Sequence, residues 1–197
     1  MTTKIDLRIK KSTYAIKTAF WKLLFQQSFQ KITIKQILLE AQVNRATFYK
    51  YFADKYDLLD SVEQDLLTEF EHLTQQISTP LLHNDTDVSE LNVYYQQSVQ
   101  YIYTNSTKFS ALLKPSGDPE FIKKLIATDQ KIWQQKNLVP KSSIPEHYAT
   151  AAMIGMATSL ITEWVNSDFH ESPQEFSVIM RKIVTPLLSE QSFFKKN

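Results

Sequence analysis

The stretch "VNRATFYKYFADK", residues 43–55, sets four aromatic rings among one Arg and two Lys. Arg45, Tyr49 and Lys50 all carry donors that can reach phosphate oxygens. Arg and Lys can also pair with the O6 and N7 of guanine in a major groove. That chemistry requires these side chains to face outward, and local caps fix the phase. Asn44 is an N-cap whose side-chain oxygen can accept an amide of the first turn, so a helix starts at Arg45. Val43 and Phe48 then occupy the two positions of a hydrophobic staple, which turns Phe48 inward and brings Phe52 in behind it. Arg45 and Tyr49 share one outward row, and Ala46 and Lys50 share the next. Tyr51 falls at the edge of the buried face, and the small Ala46 leaves room for close approach to a groove. Asp54 caps a further helix beginning at Lys55. This places that ammonium near a helix N-terminus, where backbone amides also attract an anion.

The elements that must hold this helix lie just before it. Ile16, Phe20, Leu23 and Leu24 recur at helical spacing within residues 8–28. Thr33 with Gln36 forms a capping box, and Ile34, Ile37, Leu38 and Ala41 stripe the helix it opens. That helix stops at Gln42–Val43. A supporting helix followed by two short helices across a tight turn is a helix-turn-helix, whose second helix enters the major groove. Charge agrees: residues 1–60 hold 11 Lys+Arg against 5 Asp+Glu, although the chain of 197 residues has a net charge of only +1. A basic quarter on a mildly acidic body suits a polyanion at one end. Lys4, Arg8, Lys10 and Lys11 read either as an arm following a phosphate backbone or as a solvated tail.

Other chemistries find little support. The chain has no Cys, so thiolate metal sites and disulfides are excluded, and its two glycines, Gly117 and Gly155, are too few for phosphate-cradling loops. The four histidines are scattered, and the one Glu-x-x-His motif, Glu69 to His72, has no second to complete a di-carboxylate metal site. No enzyme activity, metal or cofactor is expected. Nothing at the amino end resembles a secretory signal, and the most apolar stretch, residues 149–161, is shorter than a membrane span. A cytoplasmic protein with no membrane partner is expected.

The remainder reads as further helices separated by polar loops at residues 78–90 and 136–145, giving an all-α chain of about nine helices. Asp118 caps a helix striped by Phe121, Ile122, Leu125, Ile126, Ile132 and Trp133, with Asp129 as the polar interruption of that face. Ser172 and Glu175 form another capping box, opening a last helix along Phe176, Ile179, Met180, Ile183 and Val184 that Pro186 bends or ends. Ala151, Gly155 and Ser159 recur every four residues, a ridge along which another helix can approach closely, either within the chain or from a second copy. Aromatic side chains in this half belong to a core or line an apolar pocket, with Tyr95, Tyr101, Trp133 and Met153 the candidates for pocket lining.

Residues 29–59, with their "TFYKYF" core and following Lys55, resemble the signature region of TetR-family transcriptional regulators. The resemblance implies a helix-turn-helix DNA-binding domain over residues 1–53 and an effector-sensing, dimerising domain over residues 54–197. It implies double-stranded operator DNA as partner, contacted through Thr33, Arg45, Ala46, Thr47, Tyr49, Lys50 and Lys55. Thr33, Tyr49 and Lys55 would meet phosphates, while Arg45 and Lys50 would read base edges. It further implies a homodimer seam along Ala151, Gly155, Ser159, Ile179 and Ile183, and a repressor released by a small-molecule effector. An activator, or control by a protein partner, is the alternative. Two positions depart from the family pattern: Gln42 stands where the turn usually has Gly, and Ala46 follows the Arg where Gly is common.

Overall fold

The computed structural model describes residues 4–76, 88–115, 117–135 and 145–188. Among them are nine α-helices and no strand: α1 (Lys4–Leu24), α2 (Ile34–Ala41), α3 (Arg45–Tyr49), α4 (Lys55–Gln76), α5 (Val88–Thr104), α6 (Ser106–Leu113), α7 (Phe121–Gln135), α8 (Glu146–Asn166) and α9 (Pro173–Leu188). A single 3-10 turn, Phe29–Lys31, leads into α2. The all-α architecture is the one expected, and no described helix is long and apolar enough to cross a membrane.

The chain divides into two compact units, residues 1–66 and 67–197. This division falls inside α4, because the first turns of α4 are bound into the N-terminal unit. There Leu58, Leu59 and Val62 are buried. Asp65 pairs with Lys17 of α1 at 2.6 Å, and the Tyr56 ring sets its edge against Phe29 at 5.1 Å. The core of this unit gathers Ile16, Phe20 and Leu23 of α1, Ile37 of α2, and Phe48 and Phe52. In the C-terminal unit α5 packs on α9, α6 and α7 pack on α8, and α8 packs on α9.

Three boundaries differ from the sequence reading. Lys4, Arg8, Lys10 and Lys11 form the first turns of α1 instead of a separate arm. Helix α5 begins at Val88, inside the expected loop; residues 78–87 and 136–144 lie outside the described residues. Helix α9 continues through Pro186 to Leu188. Proline removes one amide donor, so the carbonyl four residues back loses its helical partner, but only two helical residues follow it here and little of the helix is interrupted.

Candidate nucleic-acid interface

The recognition segment forms as its caps dictate. Asn44 Oδ1 accepts the Thr47 amide at 2.8 Å, and the Phe48 side chain is fully buried, its ring 5.8 Å from that of Phe52. Tyr49, the next residue, is 43% exposed. Arg45, Ala46 and Lys50 are exposed and Thr47 is half-buried, so five of the seven expected contact residues share the outer side of α3 or its cap. The Arg45 guanidinium lies 5.3 Å from the Tyr49 ring centroid and donates to the Tyr49 hydroxyl at 3.2 Å. Lys50 Nζ lies 5.5 Å from the Tyr51 ring. These contacts restrain two long cationic side chains while leaving their charge at the surface.

Thr33 and Lys55 take different parts. The Thr33 hydroxyl donates to Gln36 Oε1 at 2.9 Å and accepts the Gln36 amide at 3.3 Å, while the Thr33 amide donates to the same Oε1 at 2.8 Å. Its donors close the capping box of α2, and a phosphate would have to compete with Gln36 for them. Lys55 Nζ points back to the 3-10 turn, donating to the carbonyls of Phe29 (3.2 Å), Gln30 (3.2 Å) and Ile32 (2.9 Å). It also sits 4.6 Å from the Phe29 ring centroid. An ammonium has three protons, and all three are placed on carbonyls. The expected outward Lys55 is instead a clamp between the start of α4 and the entrance to α2. The sequence spacing that placed it at a helix N-terminus holds no sign of those carbonyls, which lie 23–26 residues earlier.

Gln42 terminates α2 in the left-handed region, at φ 54° and ψ 40°, with its amide on the carbonyls of Leu38 and Leu39. A non-glycine residue there costs about 1–2 kcal/mol. The turn thus keeps the geometry that glycine would favour.

The C-terminal unit shows two features. Tyr101 lines a groove of about 510 Å³ together with Leu73, Gln97, Gln100, Thr104 and Gln174. Burial, and then the Glu69 carboxylate beside it, raise the Tyr101 hydroxyl well above its ordinary range; that hydroxyl donates to Glu69 Oε2 at 3.2 Å. Tyr95, Trp133 and Met153 are absent from the residues lining this groove and are buried side chains. The groove's polar wall escaped the sequence reading, although glutamines at 96, 97 and 100 with Thr104 one turn on are its signal. Along α8, Ala151 and Ser159 are exposed, and a Cβ built on Gly155 meets nothing within 4 Å. The small-residue ridge is therefore not used for packing among the described residues. On α9, Ile183 is 42% exposed and Ile179 is half-buried.

Comparisons with known proteins bear on both units. Residues 16–62 match the bacterial regulatory proteins of the tetR family, and residues 89–186 match a transcriptional regulator C-terminal region of TetR type. The chain is 25% identical over 182 residues to YxbF, an HTH-type transcriptional regulator of Bacillus subtilis; the match covers 91% of this chain but only 45% of that protein. Among solved structures, a TetR transcriptional regulator from Streptococcus agalactiae superposes with a TM-score of 0.71 at 20% identity, covering 91% of this chain and 96% of that one. NalD, the secondary repressor of a multidrug efflux pump in Pseudomonas aeruginosa, superposes with a TM-score of 0.68 at 17% identity, covering 93% and 99%.

Proposed function

The chain belongs to the TetR family of bacterial transcriptional regulators, and we propose that it binds a near-palindromic operator as a homodimer and acts as a repressor released by a small-molecule effector. The observation carrying the DNA-binding part is the split on α3: Phe48 and Phe52 anchor the helix from inside, while Arg45, Ala46, Thr47, Tyr49 and Lys50 stand on its outer side. Arg45 and Lys50 read base edges, Tyr49 meets a phosphate, and Ala46 and Thr47 border the groove. Thr33 and Lys55 support this surface by fixing the entrance to α2, Thr33 as its N-cap and Lys55 as a clamp on the turn before it.

One recognition helix of five residues reaches few base pairs. A two-fold dimer reads two half-sites about 34–36 Å apart. The unused ridge of Ala151, Gly155 and Ser159, with Ile179 and Ile183 on α9, supports a seam between the last two helices of two copies. The effector acts by population shift: it binds better to dimers whose recognition helices are wrongly spaced for adjacent grooves. A hundredfold loss of operator affinity needs a coupling of only about 2.7 kcal/mol. The setting is the cytoplasm, where the chromosome lies.

Three substitutions test the assignment of faces. Tyr49→Ala and Lys50→Ala leave the helical signal and melting near wild type and weaken binding to a duplex enriched from a random pool by at least tenfold. Phe48→Ala destabilises the N-terminal unit by about 3–5 kcal/mol. Unfolding by Tyr49→Ala, or full DNA affinity after both surface substitutions, would overturn the reading.

A further inference from the structure

The groove beside Tyr101 is built mainly from one helix face. Five of its lining residues lie on α5 in two adjacent rows: Gln96, Gln100 and Thr104 repeat every four residues, and so do Gln97 and Tyr101 one position on. Helix α9, which packs on α5, contributes Pro173 and Gln174, and α4 contributes Leu73. All of them belong to the C-terminal unit. The space they bound, about 510 Å³, falls within the roughly 300–1,000 Å³ of small-molecule sites.

Four of these side chains are carboxamides, and among the described residues none that lines the groove carries a charge. Gln96, Gln97, Gln100 and Gln174 are exposed, so a ligand can take the place of water on them. Gln100 donates to Thr104 Oγ1 at 3.4 Å, a long bond that a better-placed partner can replace. Leu73 and Pro173 are half-buried and supply apolar surface. The carboxylates next to lining residues are already engaged. Glu69 Oε2 accepts the Tyr101 hydroxyl at 3.2 Å, and Glu175 Oε2 accepts the amide and hydroxyl of Ser172 at 2.9 and 2.7 Å. Glu175 thereby occupies the N-terminal turn of α9, which would otherwise favour an anion. A charged ligand would shed water in this groove with no counter-ion to replace it. Hydroxyls fit instead, because each both donates and accepts, as a carboxamide does. Residues one turn apart on α5 have Cβ atoms roughly 5–6 Å from each other, so several separated hydroxyls are needed to meet them.

We propose that this groove binds a small uncharged polyol, a sugar of one or two rings, with Gln97, Gln100 and Gln174 holding its hydroxyls and Leu73 and Pro173 meeting its C–H faces. This deepens, and rests on, the effector-release reading given above, since it gives the effector a chemical class. Leu73 belongs to α4, whose first turns carry the Lys55 clamp, so the sugar touches the helix that both units share.

The test is calorimetry on the full chain at pH 6.5 with glucose, galactose, maltose and lactose, and with glucuronate and glucosamine as anionic and cationic counterparts. At least one neutral sugar should bind in the millimolar range or tighter, and both charged sugars at least tenfold more weakly or not at all. Gln97→Leu and Gln100→Leu, each first checked for a wild-type melt, should each weaken that binding by about fivefold, as expected for one neutral hydrogen bond. The double variant should abolish it. No binding of any neutral sugar at tens of millimolar, equal binding of a charged counterpart, or full binding by the folded double variant would each overturn the site. Measuring affinity for enriched duplex with and without the sugar separates the two claims. Sugar binding that needs Gln97 and Gln100 but leaves duplex affinity unchanged contradicts effector release while upholding the site.

Discussion

Phe48 and Tyr49 are neighbours in sequence, and the cap at Asn44 sends them to opposite sides of one helix. That separation was legible because caps and staples are local: a few residues on either side settle the phase. Asp129 shows the limit of local reading. The stripe of residues 121–133 marked it as an interruption, but whether a partner from another helix satisfied it depended on packing. Its burial now has a thermodynamic consequence. The carboxyl is pushed from an ordinary 3.8 up to about 7 by desolvation. The folded state therefore holds a proton that the unfolded state has released between those values. The contribution is fully favourable below about pH 4, declines as pH rises, and is lost by about pH 7, an amount on the order of 4 kcal/mol. Asp129→Asn should gain stability relative to wild type as pH is raised from 5 to 8, measured by urea unfolding. A difference between the two proteins that stays constant with pH would contradict this account of the residue.

At the scale of elements, α2 and α4 began where their caps said they would, since Thr33, Gln36 and Asp54 carry the start signals in their own side chains. The boundary signals that failed were non-local. The division between units falls within α4 because Lys17, Phe29 and residues 55–65 meet across long stretches of chain. Lys55 is the clearest case, with its ammonium on three carbonyls of the segment entering α2. If it is a clamp, Lys55→Met lowers the stability of the N-terminal unit by about 1.5–3 kcal/mol, the range for hydrogen bonds to a charged group. The slope of log affinity for duplex against log salt then stays as in wild type. A phosphate contact instead predicts a shallower slope, by roughly 0.9, with stability unchanged. Measuring both quantities on one variant decides between the two roles.

For the whole molecule, an all-α fold was readable from sparse glycine and recurrent helical spacing, and a regulator from the capped helix-turn-helix and its resemblance to the TetR signature region, because those signals are local and need no packing detail. The polar groove beside Tyr101 was not readable, since its walls come from three helices far apart in sequence. The central claim is that two copies present their α3 helices to adjacent major grooves and read sequence there. Selection of bound sequences from a random duplex pool, at moderate and at high salt, tests it most directly. The account predicts an enriched inverted repeat with half-site centres about 10–10.5 base pairs apart or a multiple of that spacing, surviving the higher salt. Salt-sensitive retention with no enriched sequence, or enrichment of a lone half-site, would contradict it.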